Sequence, residues 1–471
     1  MPTSRRGFIR DMSAGLAAAG AAASSLACAT APDAPPGDSE RLLVRDPDHL
    51  EPAPAGLDRL PLAWHQQRTR LLKERAAADH GADAVVLGSD VNLVYFTGCY
   101  RSSGERSTWV MFPAPEPDAA YWYSPGIDRD LITTWWCTEN EYYFCYPHAE
   151  GGFPNRGQVQ RGPRVDLFAW LLEGLGRRGL DGRTIGIDRT LSARETEAAA
   201  RVLPRARFVD ISPLCLGLQM VKTPEELGLI QRAYRYFDRI HAFARDYILE
   251  RGTDLTDFEL GQALQAFGVN LLMQDVRRDG RPHSAVGIDV TSNYVRAGVA
   301  SAYPHPNQFF HSRIERGKTV YVNTDILLGG FGGECYRNYL IAPWTPEQER
   351  LWEVVTETIA IQERESKAGA VCADVALRIH EHQVAAGMQD FIYHRPAHGQ
   401  GQFLSGHQPP FIALGDDTVL VEGMTFSMEP GLYDEKNGIG INPSDNLRVT
   451  ATRGVRFSSV PFSKEWSFLT L

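Results

Sequence analysis

Three short stretches in the C-terminal half combine carboxylates, imidazoles and glycine-rich turns: 323–334, 396–410 and 429–445. Carboxylate and imidazole groups are the side chains that hold divalent cations and that transfer protons at active sites. The function therefore depends on which of these side chains lie close together in the fold. Their positions are set by the strands and loops that contain them.

The first stretch is predicted to be a β-hairpin. Residues 320–328 are apolar and β-branched with a few polar insertions, a glycine cluster follows, and residues 334–341 form the second strand. A turn centred between residues 328 and 329 places Asn323 opposite Glu334. Cross-strand partners share a face with their Cβ atoms about 5 Å apart. Asp325 lies two positions from Asn323 and so on the same face, where these side chains can hold one ion or one substrate.

A histidine and a glutamate follow the hairpin. His398 lies in the sequence Pro-Ala-His-Gly-Gln-Gly, where a tight backbone lets the imidazole point into a cleft. A lone histidine is more often structural, so it gains meaning only beside other polar groups. Glu429 lies in the apolar stretch 420–431, which is predicted to be a strand. A carboxylate buried there needs a partner or a metal ion.

Together these stretches resemble the pita-bread superfamily, which includes aminopeptidase P, prolidase, methionine aminopeptidase and creatinase. Its peptidases have an Asp, a second Asp eleven positions later, a His in a His-Gly-x-Gly loop, a Glu in Glu-Pro-Gly, and a final Glu followed by Asp. This chain matches that frame at Asn323, Glu334, His398, Glu429 and Ser444, and it keeps Arg337 and Asp445. The resemblance covers roughly residues 50–460.

The resemblance implies an α/β (α+β) protein with an N-terminal creatinase-like α/β domain and a C-terminal pita-bread catalytic domain. Four segments are expected: a twin-arginine signal peptide (1–31), a Pro/Ala/Asp-rich linker (32–58), the N-terminal domain (59–215) and the catalytic domain (216–471). In the N-terminal domain, apolar runs predict strands at 82–88, 91–95, 110–112 and 184–188. Thr223-Pro-Glu-Glu226 is a capping box that predicts the first helix of the catalytic domain.

The ligand set differs from that of the peptidases. The first Asp is replaced by Asn323, and the last Glu, which bridges two metal ions in the peptidases, is replaced by Ser444. Neutral side chains are poor ligands for a pair of divalent cations. Glu334, His398 and Glu429 remain. The resemblance therefore implies either a mononuclear site on these three residues, holding Mn, Zn, Fe or Co, or no metal at all.

Creatinase is the precedent in the family for a site without metal, because it cleaves a C–N bond without a metal ion. Its catalytic histidine lies upstream of the hairpin, and the segment Gly298–His305 resembles that region. His305 is then the general base and acid, since histidine is the side chain that most often transfers protons in active sites; His311 is a second candidate. The expected catalytic residues are His305, His398, Glu429 and Glu334. The expected substrate-binding residues are His407, Asn323, Asp325 and Arg337.

Three functions remain open. The first is an exported, creatinase-like hydrolase of a small amidine, amide or amino-acid derivative. The second is an Xaa-Pro peptidase that works with one ion. The third is a non-catalytic binding protein, as the pita-bread domain is in some histone chaperones. Retention of His305, His398 and the two glutamates argues against the third, because buried carboxylates without a role are costly.

The N-terminus and the composition complete the prediction. Ser4–Arg10 resembles the twin-arginine export consensus, which predicts a periplasmic or secreted protein. The weakly apolar run that follows is too short to span a bilayer. Attachment to a membrane as a lipoprotein, through Cys28, is an alternative. Cys137 and Cys145 can form a disulfide in an oxidising compartment. The net charge of −10, without a basic block, argues against nucleic acid. The expected partners are a small-molecule or short-peptide substrate and a second copy of the chain, in a homodimer without a transmembrane segment.

Overall fold

The computed structural model describes residues 38–56, 59–100, 106–143, 166–278, 281–282, 289–291, 295–305, 312–402 and 407–471. The predicted signal peptide, Cys28, Cys145 and His311 lie outside these residues. None of the helices in the described ranges combines the length and the apolar character that a membrane crossing requires.

The N-terminal domain is built on a mixed sheet whose two faces are both covered. Its strands have the spatial order β4-β3-β2-β1-β5-β6 and are β1 (Ala84–Leu87), β2 (Trp109–Pro113), β3 (Tyr121–Pro125), β4 (Glu139–Tyr143), β5 (Thr184–Ile187) and β6 (Arg207–Asp210). The helices are α1 (Leu62–His80), α2 (Asp90–Thr97), α3 (Arg129–Thr133), α4 (Leu167–Arg177), α5 (Ala193–Val202) and α6 (Ser212–Met220). Along β1, Val85 and Leu87 enter one core while Ala84 and Val86 enter another. This alternation explains why β1 is apolar throughout.

Residues 91–95, predicted to form a strand, belong instead to helix α2. Ser89 is extended at the N-cap position, and Gly98 ends the helix in the left-handed conformation with a φ of 71°. A short apolar run does not distinguish a strand from a buried helix by periodicity, so the flanking residues decide.

Residues 38–56, which lie in the predicted linker, pack against the catalytic domain. Arg453 Nη2 donates to Asp46 Oδ1 at 2.7 Å, and the backbone N–H of Ala53 donates to the carbonyl of Gly228 at 2.8 Å. The composition of the segment is typical of a linker. The arginine that fixes its acidic residues lies about 400 positions away and gives no local signal.

The C-terminal domain combines two five-stranded sheets with long helices. The helices are α7 (Pro224–Arg251), α8 (Asp257–Asp275), α9 (Pro346–Glu365), α10 (Cys372–Ala385) and α11 (Lys464–Ser467). Thr223 and Glu226 form the predicted capping box at the start of α7. One sheet has the order β10-β11-β12-β20, with β9 also on β11, and contains β9 (Asp289–Thr291), β10 (Arg296–Ala297), β11 (Thr319–Leu328), β12 (Phe331–Ile341) and β20 (Phe468–Leu469).

The second sheet has the order β14-β13-β15-β18-β19. It contains β13 (Ala397–Gly399), β14 (Gln408–Ile412), β15 (Thr425–Met428), β18 (Asp445–Val449) and β19 (Gly454–Arg456). Two further strand pairs are β7 (Arg277–Arg278) with β8 (Arg281–Pro282), and β16 (Leu432–Asp434) with β17 (Ile439–Ile441). Glu429 follows β15 directly, so the strand predicted over 420–431 is much shorter.

The β11–β12 hairpin is present, but its register differs from the prediction. Asn323 faces Tyr336, and Asp325 faces Glu334. The turn consists of Gly329 and Gly330, with φ values of 54° and 83°, which glycine adopts without strain. The predicted register was wrong by two residues along the partner strand, so each side chain stays on its predicted face.

The burial of Asp238 on α7 can be tested through the pH dependence of the free energy of unfolding. Asp238 is buried and accepts a hydrogen bond from the backbone N–H of Ser459 at 2.6 Å. Burial outweighs this bond and raises the pKa of Asp238 to about 7 from its ordinary value of 3.8. Between these values the unfolded chain loses the proton first. The free energy of unfolding therefore falls as pH rises to about 7 and is level above it.

We expect Asp238→Asn to remove this contribution, because the amide oxygen still accepts from Ser459 but does not ionise. We expect the free energy of unfolding, measured with urea, to fall between pH 5 and pH 8 by roughly 2 kcal/mol more in the wild type than in D238N. The exposed Asp254→Asn is the control and should behave like the wild type. Equal falls in D238N and the wild type would show that Asp238 is ionised throughout.

Candidate active site

The polar face of the hairpin forms one wall of a cavity of about 690 Å³. Tyr321, Asn323 and Asp325 alternate along β11, and Glu334 and Tyr336 alternate along β12. Because alternate residues of a strand share a face, the sequence brings all five side chains to the cavity. This confirms the predicted hairpin face.

His398 lies at the centre of the polar cluster and is fully buried. Its Nε2 is 2.9 Å from Glu429 Oε1 and 3.5 Å from Glu334 Oε1. The backbone N–H of His398 donates to Ser427 Oγ at 3.0 Å, and its Nδ1 is 3.0 Å from the carbonyl of Gly399. These contacts fix the ring so that Nε2 points between the two carboxylates. The structure thus brings together three of the predicted catalytic residues.

Burial and the short distances between His398, Glu334 and Glu429 shift the pKa values of all three groups. Burial alone would lower the pKa of His398, but the hydrogen bonds and charges of Glu334 and Glu429 outweigh it and raise the pKa to about 10. Burial raises the pKa of Glu334 above its ordinary value despite the bond to His398. The pKa of Glu429 is lowered, because its contact with the imidazole outweighs the effect of burial. The pKa values of the two carboxylates beside the imidazole are therefore shifted in opposite directions.

His407 joins this cluster as a possible ligand, a role that the sequence interpretation did not give it. Its ring stacks on that of His398, with centroids 3.9 Å apart and an angle of 26° between planes. Ligand atoms of Glu334, His398 and His407 lie within 4.8 Å of one another. His407 was predicted to bind substrate, although it follows His398 by nine positions and the second histidine of the family usually follows by seven. The stacking is a tertiary contact that this spacing does not reveal.

Asn323 and Ser444, at the two altered ligand positions, differ in their exposure to the cavity. Asn323 lines the cavity, and its buried Oδ1 has no hydrogen-bond partner among the described residues. Ser444 is fully buried, with its backbone paired to Tyr336, and is not one of the residues that line the cavity. Both side chains are neutral, unlike the carboxylates expected at these positions. Glu334, His398 and His407 offer a group of ligand atoms that could hold an ion, with Glu429 beside the same imidazole.

Arg337 was predicted to bind substrate, and the structure corrects this. Its side chain is fully buried and pairs with the equally buried Asp445, at 2.9 Å from Nη2 to Oδ2. It also donates to the carbonyls of Ser444, Tyr336 and Val460. Arg337 therefore joins β12 to β18 from behind the cavity and does not contact its contents.

His305 lies at the mouth of the same cavity as His407 and Glu429, and it is exposed. The cavity also contains side chains that the sequence interpretation did not select, among them Arg296, His394, Arg395 and Tyr433. Of these, Arg395 lies three positions before His398 and Arg296 two positions before Gly298. Nearness to the predicted catalytic segments was the signal that could have identified them.

Comparison with known proteins agrees with this fold. Residues 228–451 match metallopeptidase family M24. The Xaa-Pro dipeptidase of Pyrococcus furiosus is 27% identical over 380 residues, which cover 81% of this chain and 94% of that protein. The structure of dipeptidase PepE from Mycobacterium ulcerans superposes with a TM-score of 0.69 at 19% identity, covering 88% of this chain and 100% of that one.

A structure with a different role also superposes: the N-terminal domain of FACT complex subunit SPT16 from chickpea, Cicer arietinum. Its TM-score is 0.63 at 13% identity, and the match covers 87% of this chain and 99% of that chain. The chain is thus a pita-bread-fold protein with an N-terminal domain and a C-terminal M24 domain, as predicted. It is a relative of the metallopeptidases and a hydrolase acting on C–N bonds.

The buried ion pair behind the cavity can be tested by substitution. Arg337→Met leaves the Asp445 charge buried and uncompensated, so we expect the free energy of unfolding to fall by about 3–5 kcal/mol. Adding Asp445→Asn to this variant should recover part of the loss, because it removes the charge. Urea unfolding measures both variants, with the exposed Arg364→Met as control. A loss in R364M as large as that in R337M would contradict a specific role for the pair.

Proposed function

We propose that the protein is an exported hydrolase of the C–N bond in short peptides or small amides, with a metal site reduced to one ion or none. The observation that carries this proposal is the position of His398 between Glu334 and Glu429, two carboxylates that line a cavity of about 690 Å³. The neutral Asn323 and Ser444 at the other two ligand positions support the reduced metal site.

A single ion fits the donors that are present. Glu334, His398 and His407 would hold it, with Glu429 at the same imidazole, and these ligand types suit Mn, Zn, Fe or Co. When bound, such an ion lowers the pKa of a coordinated water molecule and polarises a carbonyl group. Both Glu334 and Glu429 expose only 13% of their side chains, so their charges act in a poorly hydrated environment.

The protein's own groups perform the proton transfers. We propose that His305 takes a proton from the attacking water, which forms a bond to the carbonyl carbon. His305 then returns the proton to the leaving nitrogen as the C–N bond breaks, giving an acid and an amine. Asn323 and Asp325 on the hairpin, with His407 opposite, are proposed to orient the substrate. Arg337 holds the strands in place.

The alternatives are ranked by specific observations. An Xaa-Pro dipeptidase with one ion is supported by the 27% identity to the Pyrococcus furiosus enzyme, and differs from our proposal only in substrate range. A non-catalytic binding role is supported by the likeness to the SPT16 domain. The carboxylate–imidazole cluster argues against it, because a protein that only binds gains nothing from buried charges in a cavity. Export rests on the Ser4–Arg10 sequence, and a homodimer remains a proposal from the family resemblance.

His305→Ala tests the catalytic assignment. The full-length enzyme is assayed for release of amino groups from a panel of Xaa-Pro dipeptides and small amides, with and without added Mn or Zn. We expect H305A to lower kcat by about 100-fold or more, because a positioned general base contributes this much. Its stability should be unchanged, since the side chain is exposed.

His80→Ala, in the N-terminal domain, is the matched control and should retain full turnover. Full activity of H305A would reject His305 as the base while leaving the metal site to be tested separately. No turnover by the wild type on any member of the panel, with or without metal, would favour the binding role.

A further inference from the structure

Ser427 connects two members of the carboxylate–imidazole cluster and has no part in the proposed reaction. It is fully buried on β15, two positions before Glu429. Its neighbours Phe426 and Met428 enter the apolar core of the catalytic domain. Because side chains alternate along a strand, the hydroxyl group of Ser427 lies on the other face, where it meets His398. The sequence thus places a buried polar group directly beside the charged groups of the site.

The two hydrogen bonds of the Ser427 hydroxyl group have fixed directions. The backbone N–H of His398 can only donate, so Ser427 Oγ is the acceptor in the bond of 3.0 Å between them. The hydroxyl group has one proton of its own, and it donates this proton to Glu429 Oε1 at 3.2 Å. Ser427 therefore joins the backbone of the histidine to the carboxylate that lies beside its ring.

Glu429 Oε1 has a second contact with the same histidine. His398 Nε2 lies 2.9 Å from this oxygen, whereas it is 3.5 Å from Glu334 Oε1. The hydroxyl group of Ser427 and the imidazole thus meet at a single carboxylate oxygen, and together they restrict rotation of the carboxyl group. Since the side chain of Glu429 lines the cavity, Oε2 is the oxygen that remains for an ion or a substrate there.

The backbone of Ser427 is fixed by two further elements. Ser427 pairs with Asn446 of β18, and its carbonyl accepts a hydrogen bond from Gln362 Nε2 of α9 at 2.8 Å. The serine side chain is short, so a fixed backbone leaves its hydroxyl oxygen little freedom. A residue that positions a functional carboxylate needs this rigidity.

We infer that Ser427 is a positioning residue, which holds Glu429 Oε1 against His398 and directs Oε2 into the cavity. Its hydroxyl group transfers no proton to substrate. The inference deepens the proposed function and rests on it for the reaction and for the ion. Hydrogen-bonded neighbours of metal ligands orient the ligand atoms, and loss of such a neighbour typically lowers metal affinity or activity by about 10- to 100-fold.

Two variants of similar shape separate the effect of the hydroxyl group from that of packing. Ser427→Thr keeps the hydroxyl group, and Ser427→Val replaces it with a methyl group in a side chain of similar volume. Calorimetry with MnCl2 on the metal-free, full-length protein measures the affinity for the ion. We expect S427T to bind Mn as the wild type does, and S427V to bind it about 10- to 100-fold more weakly.

Turnover at saturating MnCl2 gives a second measurement on the same pair. With a substrate from the panel of Xaa-Pro dipeptides and small amides, we expect kcat to fall in S427V and to recover in S427T. KM should change little, because Ser427 orients a catalytic group and does not bind substrate.

The matched control is Ser124, a fully buried serine of β3 whose hydroxyl group donates to Asn140 Oδ1 at 2.8 Å. Ser124→Thr and Ser124→Val should both keep the Mn affinity and the kcat of the wild type. If S427V or S427T does not fold, Ser427→Ala is compared with the wild type instead, because it removes the hydroxyl group without enlarging the side chain. Equal Mn affinity and kcat with and without the hydroxyl group would overturn the inference, as would an equal loss in S124V.

A wild type that neither binds Mn nor cleaves any member of the panel would reject the proposed function, and the position of Glu429 is then measured by proton NMR. The signal of the His398 ring N–H, assigned by its absence in His398→Ala, reports on the hydrogen bond to the carboxylate. We expect this signal to move in S427V and to keep its wild-type position in S427T. An unchanged signal in S427V would contradict the role of Ser427.

Discussion

The contact on which the site depends is that of a buried imidazole with two buried carboxylates. His398 Nε2 lies between Glu429 and Glu334, and the contact of the imidazole with each carboxylate offsets part of the desolvation penalty of both partners. Without the imidazole, two carboxylates would share a poorly hydrated cavity, which is the least favourable arrangement of charge. A metal ion would relieve the same repulsion. The cluster is therefore consistent with a centre that works with one cation or with a proton in its place.

The scaffold around this contact tolerates little change. Arg337 and Asp445 join the two sheets behind the cavity without any exposure to solvent. A Cβ atom at Gly332 would lie 1.9 Å from the carbonyl oxygen of Ile326, and one at Gly440 would lie 1.8 Å from that of Ser301. These glycines allow the backbone segments that carry the site to approach one another. Positioning of Glu334 and His398 thus depends on residues that take no part in the chemistry.

Much of the fold and part of the site could be predicted from the sequence. The spacing from Asn323 to Glu334 and the Glu-Pro-Gly motif define a catalytic frame, and alternation along a strand fixes which hairpin residues face the cavity even when the register is two residues wrong. Contacts between distant segments were not predictable in this way. The stacking of His407 on His398, the burial of Arg337 and the packing of residues 38–56 on Arg453 all join positions far apart. The strand predicted for residues 91–95 was wrong for a local reason, because a five-residue apolar run fits a strand and a helix equally well.

We propose that the chain has no second metal site. The most direct measurement is the metal content per folded chain, by elemental analysis after equilibration with excess Mn or Zn and removal of free ion, for the wild type and for His398→Ala. The account predicts no more than one tightly held ion in the wild type and its loss in H398A, because His398 is the donor at the centre of the cluster. Two ions per wild-type chain would contradict it, since Asn323 and Ser444 would then be acting as ligands or other side chains would have replaced them.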